Sequence, residues 1–160
     1  MELHHAADHA AIDQLNSEIR ALAQYAARHA ALIDAANEDL RRIAREEPDA
    51  MWESANDPAP LLALAERKRR AELIVGTAPT FAALRTAKDE KLNSRLKHHR
   101  ERITYRDWLA EFTRDADPFT VREANHQESL RQAVRLLGHD DPVVVDALPK
   151  LVALNPSLRV

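Results

Sequence analysis

The chain has no cysteine and only two glycines, Gly76 and Gly138, in 160 residues. Without cysteine there is no disulfide and no thiolate to act as nucleophile or zinc ligand, and the redox compartment is left open. With glycine this scarce, the turns whose backbone N–H groups cradle phosphate are excluded in their usual forms. Neither Gly-x-Ser-x-Gly nor Ser-x-x-Lys occurs, so nucleophilic hydrolysis has no support. We expect no enzyme, no cofactor and no small-molecule substrate.

Aromatic residues are also few, at 4%. β-Branched residues never form alternating runs, and their one cluster, Val143 to Val145, follows a helix-start signal, so strands are not expected. No apolar stretch approaches the ~18 residues of a membrane span. The segment Met1-Glu2-Leu3-His4-His5 lacks the basic flank and apolar run of a signal peptide. The expectation is a soluble, cytoplasmic protein with no membrane contact.

What the chain does contain is alanine, 29 residues of it, a composition that favours helix almost everywhere. Leu, Ile, Val and Phe together make 23%, just above the ~20% associated with disorder. The core should be lean. From Ile12 to Ile43 an unbroken heptad a/d series runs through Leu15, Ile19, Leu22, Ala26, His29, Ile33, Ala36 and Leu40. A helix over about 8–46 would be roughly 58 Å long at ~1.5 Å per residue. It cannot bury its stripe alone.

The e positions of this series are mostly Ala, and the g positions, Glu18, Tyr25, Leu32, Asp39 and Glu46, are mixed. That argues for burial against two or more neighbours rather than for a two-stranded seam. Pro48 should end the first helix, because its ring disfavours helical geometry at Glu47. The connection that follows holds Met51 and Trp52; the aromatic should fold onto the core, with an exposed partner anchor as the alternative. Asp57-Pro58, Asp117-Pro118 and Asp141-Pro142 each combine an N-cap carboxylate with Pro at the first helical position. They predict a second helix over about 59–75, stopped by Gly76, and a last short helix after Asp141.

A third helix, about 81–103, should bury Phe81, Leu84, Leu92, Leu96, His99 and Ile103. At Thr104 the apolar pattern changes side, which predicts a break or a new buried face, with Tyr105, Trp108 and Phe112 plugging the core of a C-terminal helical subdomain over about 105–155. Thr120 and Glu123 form a capping box for a further helix ending at Gly138. The fold expected is a single all-α domain over 1–160, a bundle of five to seven helices organised on the long N-terminal helix.

Charge is unevenly placed: residues 1–57 carry −7, 58–106 carry +7 and 107–160 carry −3. The second and third helices are expected to run back along the first and cover most of it, with burial of the first helix in an intermolecular bundle as the alternative. Histidines fall at spacings relevant to metal binding in four places. His5 and His9 lie i, i+4; Glu2 with His5 and Glu123 with His126 have Glu-x-x-His spacing; His29 precedes Asp34. Each lacks the companion ligands a bundle metal site requires, and no metal is expected.

The leading functional expectation is a non-catalytic assembly or adaptor protein, binding another protein or copies of itself within a larger particle or regulatory complex. Its candidate interface comprises Leu15, Leu22, His29, Ile33 and Leu40 on the stripe, with Trp52, Trp108 and Phe112. The alternative is sequence-independent binding of nucleic-acid backbone by Arg95, Lys97, Arg100, Arg102 and Arg106 of the basic 85–106 segment. On either view the segment's competing fate is a solvated face or one paired with the acidic first helix.

Overall fold

The computed structural model describes the backbone of residues 2–160 and the side chains from His5 onward. Its elements are helical, and no strand occurs among the described residues. In order they are α1 (Glu2–Glu53), α2 (Ala59–Gly76), α3 (Ala78–Asp115), a 3-10 turn (Thr120–Arg122), α4 (Ala124–Leu137) and α5 (Pro142–Leu154). No helix among these is long and apolar enough to cross a membrane.

The local signals act much as their chemistry requires. Asp57 Oδ1 accepts the Ala59 N–H at 3.0 Å, Asp117 Oδ1 accepts those of Phe119 and Thr120 at 2.8 and 2.9 Å, and Asp141 Oδ1 accepts that of Val143 at 3.0 Å. Asp141 is thus the N-cap of α5 with Pro142 at its first position, Asp57 bonds the first N–H of α2 from just before it, and Asp117 closes a turn ahead of the 3-10 segment instead of starting a helix. Gly138 ends α4 at φ 88°, a left-handed conformation that suits glycine, and its N–H reaches the Val134 carbonyl at 2.8 Å.

Two boundaries differ from expectation, and at a third, one of the two expected outcomes holds. Pro48 does not end α1, which continues to Glu53. Proline removes the hydrogen bond to the carbonyl of Ala44, but both residues lie on the exposed side of the helix, where water can take the donor's place. Pro149 inside α5 sits the same way, exposed with Val145 one turn before it. At Thr104 there is no break: α3 runs on, and only its buried face turns, from Leu92 and Leu96 to Arg106 and Leu109. Thr120 starts a 3-10 turn rather than α4, since its hydroxyl bonds Asp117 at 3.0 Å instead of capping a helix.

The chain divides into two compact units, one formed by Glu18–Lys91 and the other by the stretch up to Ser17 together with Leu92–Val160. The second has the better core. Leu109, Val121, Leu130, Ala133, Val134, Leu137, Val144, Ala147, Leu151 and Leu158 form one buried cluster. Tyr105, Trp108 and Phe112 pack on it half-buried, with Trp108 and Phe112 stacked at 5.0 Å. Each fully buried Leu in such a cluster contributes about 1.5–3 kcal/mol.

The Glu18–Lys91 unit is thinner. Its buried residues are Ala26, Ala36, Ile43, Ala50, Leu64 and Ala71, with Leu61 half-buried against the Ile43, Ala50 and Leu64 cluster. Alanine on one helix lets another approach closely but buries little apolar area. Between α1 and α2, Arg67 donates to Asp39 at 2.6 Å and to Glu46 at 2.9 Å. These groups are solvent-exposed, so the bridges fix relative position more than they stabilise. Arg69 and Arg70 instead pair with Glu66 on their own helix, holding its carboxyl down to about 2.

Candidate interaction surfaces

Residues proposed from sequence for a partner interface fall into three groups. Leu15 is buried, and Leu22, His29, Ile33 and Leu40 are half-buried, so the α1 stripe is largely covered within the chain. Trp108 and Phe112 belong to the C-terminal core. Trp52 is the exception. It lies on the last turn of α1, 83% exposed and next to exposed Met51, which corrects the expectation that it folds onto the core: with α1 continuing past Pro48, Trp52 is held on a helix rather than in a connection free to fold inward.

The apolar surface missed from sequence is also in the Glu18–Lys91 unit. Tyr25 and Leu32 at g positions of α1, Leu62 and Leu73 of α2 and Leu84 of α3 are all exposed. The covered part of α1 is thus the a/d seam, and both flanks are largely exposed, Tyr25, Leu32 and Glu46 at g and Ala23, Ala30 and Ala44 at e. Leu84 was expected on the buried face with Phe81, Leu92 and Leu96, yet it is 65% exposed. On a wheel of ~100° per residue it lies about 80° from the Leu92 direction, an angle that two-helix packing does not reach. The g positions signal apolar character beyond the seam; whether it is covered depends on neighbours distant in the chain.

A second feature concerns Arg102 and Arg106, and for Arg106 burial corrects the assignment as a phosphate ligand. Arg106 is 2% exposed. Its guanidinium donates to Asp8 Oδ2 at 2.9 Å and to Asp141 Oδ2 at 3.0 Å. Arg102 donates through Nε to Asp8 Oδ1 at 3.1 Å and through a terminal nitrogen to the Leu136 carbonyl at 2.6 Å, one of the last carbonyls of α4. His99 Nδ1 lies 2.8 Å from Asp8 Oδ1. Burial by itself would push the Asp8 carboxyl up; hydrogen bonds from His99 and Arg106 and the charges of Arg102 and Arg106 outweigh it and hold that carboxyl below its ordinary value. For Arg106 burial acts downward, and Asp141 and Asp8 together raise it. This network closes on itself around α1, α3 and the start of α5. A phosphate could reach Arg106 only by displacing Asp8 or Asp141, whereas Arg102 is half-buried.

Arg95, Lys97 and Arg100 remain on the surface of α3, with Lys97 3.7 Å from Glu101. Of the histidines weighed as ligands, His5 Nε2 lies 2.8 Å from Asp107, and His126 Nδ1 lies 2.9 Å from the Thr120 carbonyl and 3.0 Å from Glu123. The Glu2 side chain of the other Glu-x-x-His pair lies outside the described residues. Among the described residues no three of His, Asp and Glu are grouped to hold a metal ion.

His29 stacks on Phe81, ring centroids 4.0 Å apart, and Tyr25 meets the other side of the cluster at 5.5 Å from Phe81. The Thr77 hydroxyl spends its proton on the Ile74 carbonyl at 2.6 Å, so at 3.1 Å it accepts from His29 Nε2, which carries the proton. Beside this cluster opens a groove of about 780 Å³ lined by Tyr25, His29, Leu73, Phe81 and Leu84 among others. Set against protein-family models, curated proteins and solved structures, the chain matches none.

Proposed function

We propose that this protein is a non-catalytic assembly or adaptor module acting through protein–protein contacts of its Glu18–Lys91 unit, an all-α chain organised on α1 and working in the cytoplasm as a component of a larger particle or complex. One observation carries the reading. In that unit the deeply buried positions are mostly alanine, while Tyr25, Leu32, Trp52, Leu62, Leu73 and Leu84 stand in solvent. Large apolar side chains grouped on one unit mark interaction sites more often than scattered single ones do. Aromatic anchors such as Trp52 and Tyr25 contribute disproportionately where a partner excludes water.

The experiment is affinity capture by the tagged intact chain from its native cells, with and without nuclease, beside a variant carrying Leu73→Lys and Leu84→Lys. The expected result is a stoichiometric protein partner that survives nuclease and is lost from the variant. Material lost on nuclease digestion would move the function to the exposed basic residues Arg95, Lys97 and Arg100, whose binding should weaken steeply with salt. With Arg102 and Arg106 engaged inside the protein, that second reading rests on a shorter stripe than the sequence suggested.

A further inference from the structure

The groove beside His29 continues into a second one. The two, of about 780 and 610 Å³, meet at Tyr25, Phe81 and Leu84, which line both and of which Tyr25 and Leu84 project into solvent. The first extends to Leu73 and Glu72, the second to Leu22 and Lys88. All these residues belong to the Glu18–Lys91 unit. They make one apolar trough with projecting side chains at its centre.

Most charge around the trough is already satisfied within helices: Arg69 by Glu66, and Arg85 by Asp89 at 3.7 Å. Glu18, which lines the second groove beside Lys88, is half-buried and engaged within the chain; Glu72 at one end and Lys88 at the other are exposed and make no ion pair among the described residues. A partner of uniform charge would meet one of them unfavourably. A surface that bears an acid and a base at opposite ends of one apolar centre is complementary to itself under a twofold rotation, the commonest symmetry of protein dimers.

We propose that the occupant of this trough is the same trough on a second copy of the chain, packed about a twofold axis near Leu84, with Glu72 of each copy facing Lys88 of the other. The inference rests on the reading of this unit as a protein-binding surface and adds its partner and geometry.

Sedimentation equilibrium of the purified full chain tests it. Wild type should be a dimer that dissociates on dilution. Glu72→Lys alone and Lys88→Glu alone each place like charges together twice, and each should weaken association at least about tenfold. The double exchange, Glu72→Lys with Lys88→Glu, should restore affinity to within about threefold of wild type, because it reinstates both pairs in reverse. All three sites are exposed in the single chain, and unchanged helical circular dichroism verifies the fold. Leu84→Lys should give monomers.

A monomeric wild type, a dimer indifferent to either reversal, or a double exchange that fails to rescue would each overturn the proposal. If wild type is monomeric yet captures a different protein that Leu84→Lys releases, the second-copy inference fails while the functional reading stands. A chain that neither dimerises nor captures protein overturns both.

Discussion

Arg106 lies between two carboxylates that are far from it in the chain, donating to Asp8 at 2.9 Å across 98 residues and to Asp141 at 3.0 Å across 35. The same Asp141 caps α5 through its other oxygen, so one aspartate both starts a helix and anchors it to α3. A buried charge is tolerated here because its partners are charged and hydrogen-bonded in turn.

Removing Arg106 should therefore do more than remove a contact. Arg106→Ala leaves Asp8 and Asp141 buried without their shared partner, and the expected cost is about 3–5 kcal/mol. Urea denaturation followed by far-ultraviolet circular dichroism measures it. A loss below about 1 kcal/mol, the level of exposed pairs, would show that the network contributes little.

The pH dependence follows from the lowered Asp8 carboxyl. Its folded value lies below the ordinary 3.8, so its contribution to stability is complete above the unfolded value of about 4 and is lost as pH falls through the folded value. Stability should drop with acidification below about pH 4. Asp8→Asn should be less stable than wild type at neutral pH and show a shallower decline in that acid window. Parallel declines for the two proteins would contradict the assignment.

Core substitutions should separate the two units. Leu130→Ala and Leu151→Ala empty fully buried sites in the C-terminal cluster and should each cost about 2–5 kcal/mol. Leu62→Ala, at an exposed position of α2, should lie within about 0.5 kcal/mol of wild type. Denaturant midpoints at matched protein concentration, low enough to keep the chain monomeric, give the comparison.

The two tryptophans report on the same asymmetry. Trp52 is exposed and Trp108 is half-buried against the C-terminal cluster. In the monomer, Trp108→Phe should leave emission typical of solvated indole and readily quenched by acrylamide. Trp52→Phe should leave a blue-shifted, protected spectrum. The reverse assignment would mean that Trp52 is covered.

Much of the helical layout was legible because it depends on residues within a turn of one another. Ala abundance and Gly scarcity favour helix at every step. The carboxylates of Asp57, Asp117 and Asp141 find N–H groups two or three residues ahead, and every a/d residue from Ile12 to Ile43 is buried or half-buried. Pro48 misled because its local preference competes with solvation: an exposed proline loses its hydrogen bond at little cost. At Thr104 the change of buried face was legible, and α3 carries it without a break.

The chemistry of the basic segment was not legible by such rules. From Lys88 to Arg106 the cations look alike in sequence, but only the tertiary structure decides that Arg106 turns inward, since the groups that neutralise it come from α1 and the start of α5. Likewise, periodicity shows that Tyr25 and Leu32 flank the seam, while their exposure depends on how few helices pack against α1 in the Glu18–Lys91 unit. Helix formation is set by neighbours in the chain. Burial and ion pairing are set by neighbours in space, and for Arg106 and Asp8 those are 98 residues apart.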